Sequence, residues 1–477
     1  MTERKTRELI LASKLCPTDE RRKVVRPADG SVYAEVFQAG PAQVEDAVVA
    51  ACAAFEKTRK LPTHVRAEIC RRVSTRLDED SERIALDLAN EAGKPIQLAR
   101  AEVGRAVLTF RTAAEEAGRI GGELLPLDAV PDAEGVVGIT RRFPIGPVAA
   151  ITPFNFPLNL VAHKLAPAVA AGCPVVLKPA SATPLSALNL GKLLLETEWP
   201  PGALSILPCP PAVAAPLVED ERFKLVTFTG SAEVGWGIKS RAGKKRVALE
   251  LGGNAAAVVD ETGDVEFAAA RCAVGGFAYA GQSCISVQRI YVHSAVEERF
   301  LEIFLGQVAS LKMGDPLDPE SIIGPLITRG DAERVESWVN EAVSKGARLL
   351  CGGKRDGSFY EPTVLADVDP SLPVSCKEVF GPVVVVDSFE TWDEALAKVN
   401  DSAFGLQAGV FTQRIDDALA AFAELDVGGV VVNDMPTYRV DPMPYGGAKD
   451  SGNSREGPRY SIEEMTELRL MLIRSRR

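Results

Sequence analysis

The amino-acid sequence predicts an α/β protein, a doubly wound parallel sheet followed by a second α/β unit. Three observations carry that expectation. Short apolar runs alternate with helical runs from 147 to 250, the alternation resumes less regularly over 251–430, and a helical segment at 41–120 precedes both. At 477 residues the chain is also too long for one core.

In chain order, Val44, Val48, Cys52 and Phe55 recur at steps of four and three, and helical patterning continues through "RAEICRRVSTRLDEDSERIALDLANEAG". Residues 121–146 set two short extended segments around the turn-rich "DAVPDAEG", which reads as a protruding hairpin. From 147, "VAAIT", "PVVLK", "ALSILP", "KLVTFTG" and "KRVALELGG" read as strands separated by helices, among them 159–171 and one opening near Ala232. Sheets of this kind bind ligands at the carboxyl ends of their strands, where strand order reverses. Beyond 253, strands are expected at "QRIYVH", "PVVVVDSF", "AGVFT" and "GGVVVN", and helices near 264–280, 295–311, 330–345, 391–400 and 414–424. The tail "ELRLMLIRSRR" alternates loosely, as an edge strand would.

Composition narrows the function. Apolar residues make up 46% and charged residues 25%, an ordinary globular balance. The net charge of −11 is spread along the chain, and no basic strip is long enough to track a phosphate backbone, so no nucleic-acid partner is expected. No run approaches the ~18 apolar residues of a spanning helix, and the start has no signal-peptide core, so no membrane is expected. Nine cysteines, odd in number and without a CxxC pair, argue against a disulfide framework or a zinc site. Three dispersed histidines suggest no metal motif. The chain reads as reduced and cytoplasmic.

Several stretches carry chemistry, though each has a plainer reading alone. "TFTGSAEVG" ends a strand at Gly230 and opens a helix that Ser231 is placed to cap. A helix N-terminus suits a pyrophosphate, but the GxGxxG fingerprint is absent and the turn serves equally as punctuation. "VVLKPAS" puts Lys178 at a strand's carboxyl end, either to meet a nucleotide or to snorkel at the sheet edge. "LELGGN" puts Glu250 at the end of an apolar strand, where desolvation raises a carboxylate's pKa and suits it to general-base work; a strand-end salt bridge is the alternative. "TPFNFPLN" holds Asn155 between two phenylalanines, as an oxyanion donor or as a turn residue. "YAGQSCISVQR" presents Cys284 with no histidine nearer than His293, which leaves a nucleophile there without an obvious base.

Taken together and in order, "PFNFPLN", "LKPASATP", "FTGSAEVG", "LELGGN", "GQSCISVQR", "EVFGPVV" and "MPYGGAKDSGNSREG" make the chain resemble the NAD(P)-dependent aldehyde dehydrogenase superfamily over about residues 150–460. "CISVQRIYVH" and "VNDMPTYRVDPMPYGG" are similar to the branch of lactaldehyde and related small-aldehyde dehydrogenases. The resemblance implies a dinucleotide-binding domain from 1–120 and 147–250, a catalytic domain at 251–430, and oligomerisation elements at 121–146 and 455–477. It implies Cys284 as nucleophile, Asn155 with the Cys284 N–H as oxyanion donors, and Glu250 as activator of the water that hydrolyses the thioester. It places Thr152, Phe154, Lys178, Ser181, Gly230, Ser231, Leu251, Glu378 and Phe380 along an NAD or NADP cleft. Coenzyme-A-acylating relatives usually lack the glutamate, so its presence favours hydrolysis to a free acid.

Two departures matter. Ser181 stands where many NAD-preferring relatives carry an acid that repels a 2′-phosphate, which opens the way to NADP. "CPPAVAAP" lacks the glycines common in the relatives' adenine pocket. The resemblance puts Phe156, Leu160 and His163 along the aldehyde tunnel, Ser283 beside the nucleophile, and Tyr438 and Arg439 near its mouth. Serine at 283, where arginine would favour phosphonate or sulfonate substrates, points to a small, polar aliphatic aldehyde. A homodimer or homotetramer is implied. The competing readings are a cofactor-independent thiol esterase and a non-catalytic protein on the same fold.

Overall fold

The computed structural model describes residues 5–474; residues 1–4 and 475–477, the outer ends of the expected first domain and tail element, lie outside the described residues. The first sheet is built on five mutually parallel strands. They run Arg246–Glu250, Leu225–Thr229, Val148–Ile151, Val175–Lys178 and Leu204–Ile206 across the sheet. The chain winds outward from Val148–Ile151 on one side and returns to the other, so strand order reverses between Val148–Ile151 and Leu225–Thr229. Burial on both faces explains their near-continuous apolar sequences.

A hairpin of Leu9–Leu11 and Lys14–Cys16 extends this sheet antiparallel to Leu204–Ile206. Ala12 and Ser13 in its turn have φ of 49° and 64°, a conformation usually given to Gly or Asn. Ser13 Oγ accepts from the N–H groups of Gly202 and Leu204, and the Ala12 N–H donates to Ser205 Oγ, so distant contacts hold a turn with no local sequence signal.

The second sheet runs Arg348–Cys351, Thr363–Ala366, Val383–Phe389, Val287–His293, Ala255–Val259, Gln407–Phe411 and Gly429–Val432, parallel except for its first strand. The four strands expected beyond 253 all belong to it. Ala255–Val259, Arg348–Cys351 and Thr363–Ala366 join them without having been foreseen, the first because "AAAVV" is too alanine-rich to announce a strand.

Four helices fill 41–120: Pro41–Thr58, Thr63–Glu79, Ser81–Ala92 and Ile96–Ala117. Asn159–Ala171 is buried at every residue between them and the first sheet, and stops at Gly172, whose φ of 87° favours glycine. The expected hairpin pairs Leu124–Leu125 with Val136–Pro144, and Thr466–Arg474 zips along the latter as an edge strand. Among the described residues no helix is long and apolar enough to cross a membrane.

Candidate active site

Between the carboxyl edge of the first sheet and the loop leading into Val287–His293 lies a cavity of about 420 Å³. In the sheet register Ile151 neighbours Lys178 and Phe228, and Thr229 neighbours Glu250, so four strand ends stand side by side around the reversal of strand order. That is where an open parallel sheet presents a ligand.

Cys284 lines this cavity from a loop that begins with Tyr279 and Ala280, both at φ 54°. Two successive non-glycine residues in the left-handed region mark a backbone held by its surroundings. The glycines of "LELGGN" let that loop close in. A Cβ at Gly253 would come 2.1 Å from the Cys284 carbonyl oxygen, and one at Gly252 would come 2.4 Å from Glu378 Oε2.

Asn155 and Glu250 face the same space. Asn155 Nδ2 donates to the Gln282 carbonyl at 3.1 Å, leaving a second amide N–H, and its Oδ1 is buried without a partner. The Cys284 N–H donates to no backbone carbonyl among the described residues, so two donors remain open beside the thiol. Glu250 Oε1 accepts from Ser454 Oγ at 2.6 Å while Oε2 is buried and unpartnered. The Cys284 Sγ itself lies 2.7 Å from the Tyr445 hydroxyl.

Comparison with known proteins identifies the family. The Aldehyde dehydrogenase family profile matches residues 16–471. The chain belongs to the aldehyde dehydrogenase family. It is 45% identical over 457 residues to the 3-sulfolactaldehyde dehydrogenase of Priestia aryabhattai, covering 96% of this chain and 95% of that one. Its fold is similar to aldehyde dehydrogenase 21 of Physcomitrella patens in complex with the product succinate, with a TM-score of 0.97, 46% identity and 99% of each chain covered. It also resembles the glyceraldehyde-3-phosphate dehydrogenase of Methanocaldococcus jannaschii crystallised with NADP, with a TM-score of 0.92, 36% identity and coverage of 96% of this chain and all of that one (100%).

The enzyme's other expected site residues divide in two. Phe154, Gly230, Ser231, Leu251, Glu378 and Phe380 line the cavity, as do Phe156, Leu160, Ser283 and Arg439. Phe380 meets Phe154 edge to face at 5.7 Å and holds φ at 47°, a further strained residue on the wall. Thr152, Lys178 and Ser181 lie off this wall at the neighbouring strand ends; Thr152 Oγ1 is buried without a partner, and Lys178 Nζ donates to the Pro179 carbonyl. Ser231 is the N-cap of Ala232–Arg241, but its side chain does not cap the helix as expected. Its hydroxyl is therefore open to another acceptor or donor.

His163 is a correction. It is fully buried behind the wall, its Nε2 2.9 Å from Asp441 Oδ1, and it does not reach the tunnel. The helix Asn159–Ala171 turns Leu160 to the cavity and His163 into the interior. Tyr438 is exposed, whereas the Arg439 side chain is largely buried and lines the cavity.

Sequence reasoning passed over Arg105, Lys164, Arg334, Tyr445 and Glu456. Lys164 offered a signal, a lysine inside an otherwise apolar helix, since an unpaired lysine is rarely buried. Tyr445 and Glu456 sat within recognised motifs without a role. Their charges set the site's electrostatics. Burial pushes Glu250 well above the usual carboxylate range, and the charge of Glu456 pushes it further. Glu456, despite equal burial, is held well below that range by Lys164 at 3.2 Å, His163 and Arg439 at 2.7 Å. Burial drives the Cys284 thiol up to about 12, opposed by the Tyr445 hydrogen bond. Burial also lifts Glu378 to about 7, opposed by the Gly253 N–H and Arg334.

Proposed function

We propose that this enzyme oxidises a short aldehyde with a polar or acidic far end to its carboxylic acid, using NAD or NADP. The convergence of Cys284, Glu250 and Asn155 on one cavity that Glu378 and Phe380 also line carries this reading. The residues present suit a dinucleotide. The open Ser231 hydroxyl at a helix N-terminus, the unpartnered Thr152 Oγ1 and the half-buried Glu378 carboxylate, which among the described residues accepts only from the Gly253 N–H, are polar groups suited to a polar ligand. Glu378 and Phe380 would hold the nicotinamide end, Ser231 and Gly230 the pyrophosphate, Lys178 and Ser181 the adenosine ribose, and Thr152, Phe154 and Leu251 the walls. When bound, the nicotinamide supplies the acceptor for the aldehyde's hydride.

This chain's own residues do the rest. The Cys284 thiolate forms a C–S bond to the carbonyl carbon, and the oxygen takes up the charge. The free Asn155 amide N–H and the Cys284 N–H stabilise that oxyanion. Glu250 takes a proton from the water that attacks the resulting thioester, and the acid leaves as the thiol is regenerated. Burial raises this carboxylate well above the usual range and makes it a stronger base toward that proton.

The far end of the substrate meets arginine from an unforeseen direction. Arg105, on Ile96–Ala117, and Arg439 both line the cavity, and Arg439 Nε is buried without a partner. These groups favour a hydroxyl or an acid group even though residue 283 is serine. The exposed apolar residues Leu468, Leu470, Met471 and Leu472 on the tail strand support a homodimer or homotetramer built through 121–146 and 455–477. The 1–120 and 147–250 segments then bind the dinucleotide, and 251–430 supplies the nucleophile. The unpaired state of the nine cysteines supports a cytoplasmic location.

The test is absorbance gain near ~340 nm from reduced nicotinamide, with a panel of hydroxyaldehydes, semialdehydes and uncharged aliphatic aldehydes. Activity that requires NAD or NADP and vanishes in Cys284→Ala is expected. Hydrolysis of an ester panel without turnover of either dinucleotide would favour the thiol esterase instead.

A further inference from the structure

One polar contact in the cavity has no part in the chemistry above. The Tyr445 hydroxyl lies 2.7 Å from Cys284 Sγ, and that sulfur is its sole hydrogen-bond partner among the described residues. Tyr445 is 3% exposed, packed with Ile285 and Leu406, and its backbone is bridged to that of Glu456. The ring therefore has little freedom to seek another partner. The Arg439 guanidinium covers the ring face, its Cζ 3.7 Å from the centroid, while Arg439 Nη2 is anchored to Glu456 Oε1 at 2.7 Å.

The direction of this hydrogen bond follows from satisfaction. Were the thiol to donate, the phenolic proton would be left without a partner among the described residues, at the cost of an unmade hydrogen bond. The phenol therefore donates to sulfur. A neutral thiol is a weak acceptor and a thiolate a strong one, so the bond favours the ionised nucleophile. A cation against the ring face makes the phenol a better donor, because it favours negative charge on the phenol oxygen.

We propose that Tyr445 is a catalytic hydrogen-bond donor to the Cys284 thiolate, sharpened by the Arg439 guanidinium stacked on its ring. The proposal rests on Cys284 being the nucleophile. Glu378 and Glu250 are the charges near the sulfur that oppose ionisation, Arg439 and Tyr445 the groups that favour it, and Glu456 and Lys164 stand behind Arg439. Tyr445 thus answers the need that scarce histidine leaves open. The chain lowers the cost of a thiolate in a buried cavity without an imidazolium beside it. There is a trade. Each tenfold gain in thiolate costs roughly threefold in intrinsic nucleophilicity, so the donor helps at pH values below the thiol's own pKa.

The experiment measures the rate of Cys284 alkylation by iodoacetamide, a neutral probe with no acidic tail for Arg105 or Arg439 to bind. It covers wild type, Tyr445→Phe and Arg439→Lys across pH, with the labelled peptide identified by mass spectrometry and folding checked by circular dichroism. Tyr445→Phe is expected to displace the profile upward by about one pH unit and slow labelling about three- to tenfold near neutral pH. Arg439→Lys keeps a cation for Glu456 but loses the planar stack, and should shift the profile the same way by less. A Tyr445→Phe profile that superimposes on wild type, or faster labelling at every pH, overturns the proposal. If Cys284→Ala keeps aldehyde oxidation, the nucleophile assignment falls and this inference with it. If Cys284→Ala is dead and Tyr445→Phe labels like wild type, the role of Tyr445 falls alone.

Discussion

Two buried polar clusters differ in how far their atoms are satisfied. In the first, Lys94 is ion-paired with Glu102, both almost wholly buried, and Glu102 Oε1 accepts from the N–H groups of Leu158 and Asn159 at 3.0 and 3.1 Å. Lys94 Nζ also sits 3.7 Å over the Phe156 ring and 4.5 Å over Tyr279. In the second, Glu250 Oε2, Asn155 Oδ1 and Arg439 Nε are buried with no partner. The satisfied cluster fixes the turn that carries Asn155 and Phe156. The unsatisfied one lines the cavity. Buried polarity is thus satisfied within the protein in one place and left open in the other.

The largest effect should come from the unsatisfied cluster. Glu250→Gln keeps the Ser454 contact and the fold but removes the base. Turnover should fall about 10²- to 10⁴-fold, with an initial burst of reduced nicotinamide because acylation survives. Stopped-flow absorbance would reveal the burst, and a proportional loss with no burst would place Glu250 elsewhere in the reaction. Next comes the satisfied cluster. Glu102→Ala strands Lys94, whose pKa burial already depresses to about 8, and should cost about 3–5 kcal/mol in denaturant unfolding. A loss under ~1 kcal/mol would show that the pair is not structural.

Asn155→Ala should lower kcat about 10²- to 10³-fold with nearly unchanged stability, the signature of an oxyanion donor. Loss of stability instead of kcat would move Asn155 into the architectural class. The smallest effect is a pH shift. Burial first, then the charge of Glu456, raises the folded-state pKa of Glu250, so the base form is lost as pH falls through that raised value. Glu456→Gln removes the second cause and leaves Lys164 and Arg439 acting on Glu250. The acid limb of kcat should therefore move to lower pH. An unmoved or rising limb would show that Glu456 does not couple to Glu250.

Much of the fold was legible because its signals are local. Strands buried on both faces announce themselves as apolar runs, and the helices at Val265–Phe277, Glu297–Ser310, Arg329–Ser344, Trp392–Asn400 and Ile415–Glu424 follow apolar periodicity. The turn at Ala12 and Ser13 stayed hidden because its geometry is imposed by Ser205 and by the backbone at Gly202 and Leu204. Cys284, Glu250 and Asn155, singled out by motif order, line one cavity. His163 misled, because spacing along a helix does not say which face meets a cavity.

The sequence by itself determined the α/β class, the family and the stretches that line the cavity, because apolar periodicity and short motifs record what each segment must bury or bring to the site. Only the tertiary structure decided which charges share the interior with Glu250, that Arg105 arrives from a helix early in the chain, and that a tyrosine 161 positions from Cys284 touches its sulfur. Those facts depend on side chains from remote segments meeting in a space of low dielectric, where a neighbour a few ångströms away outweighs anything nearby in sequence.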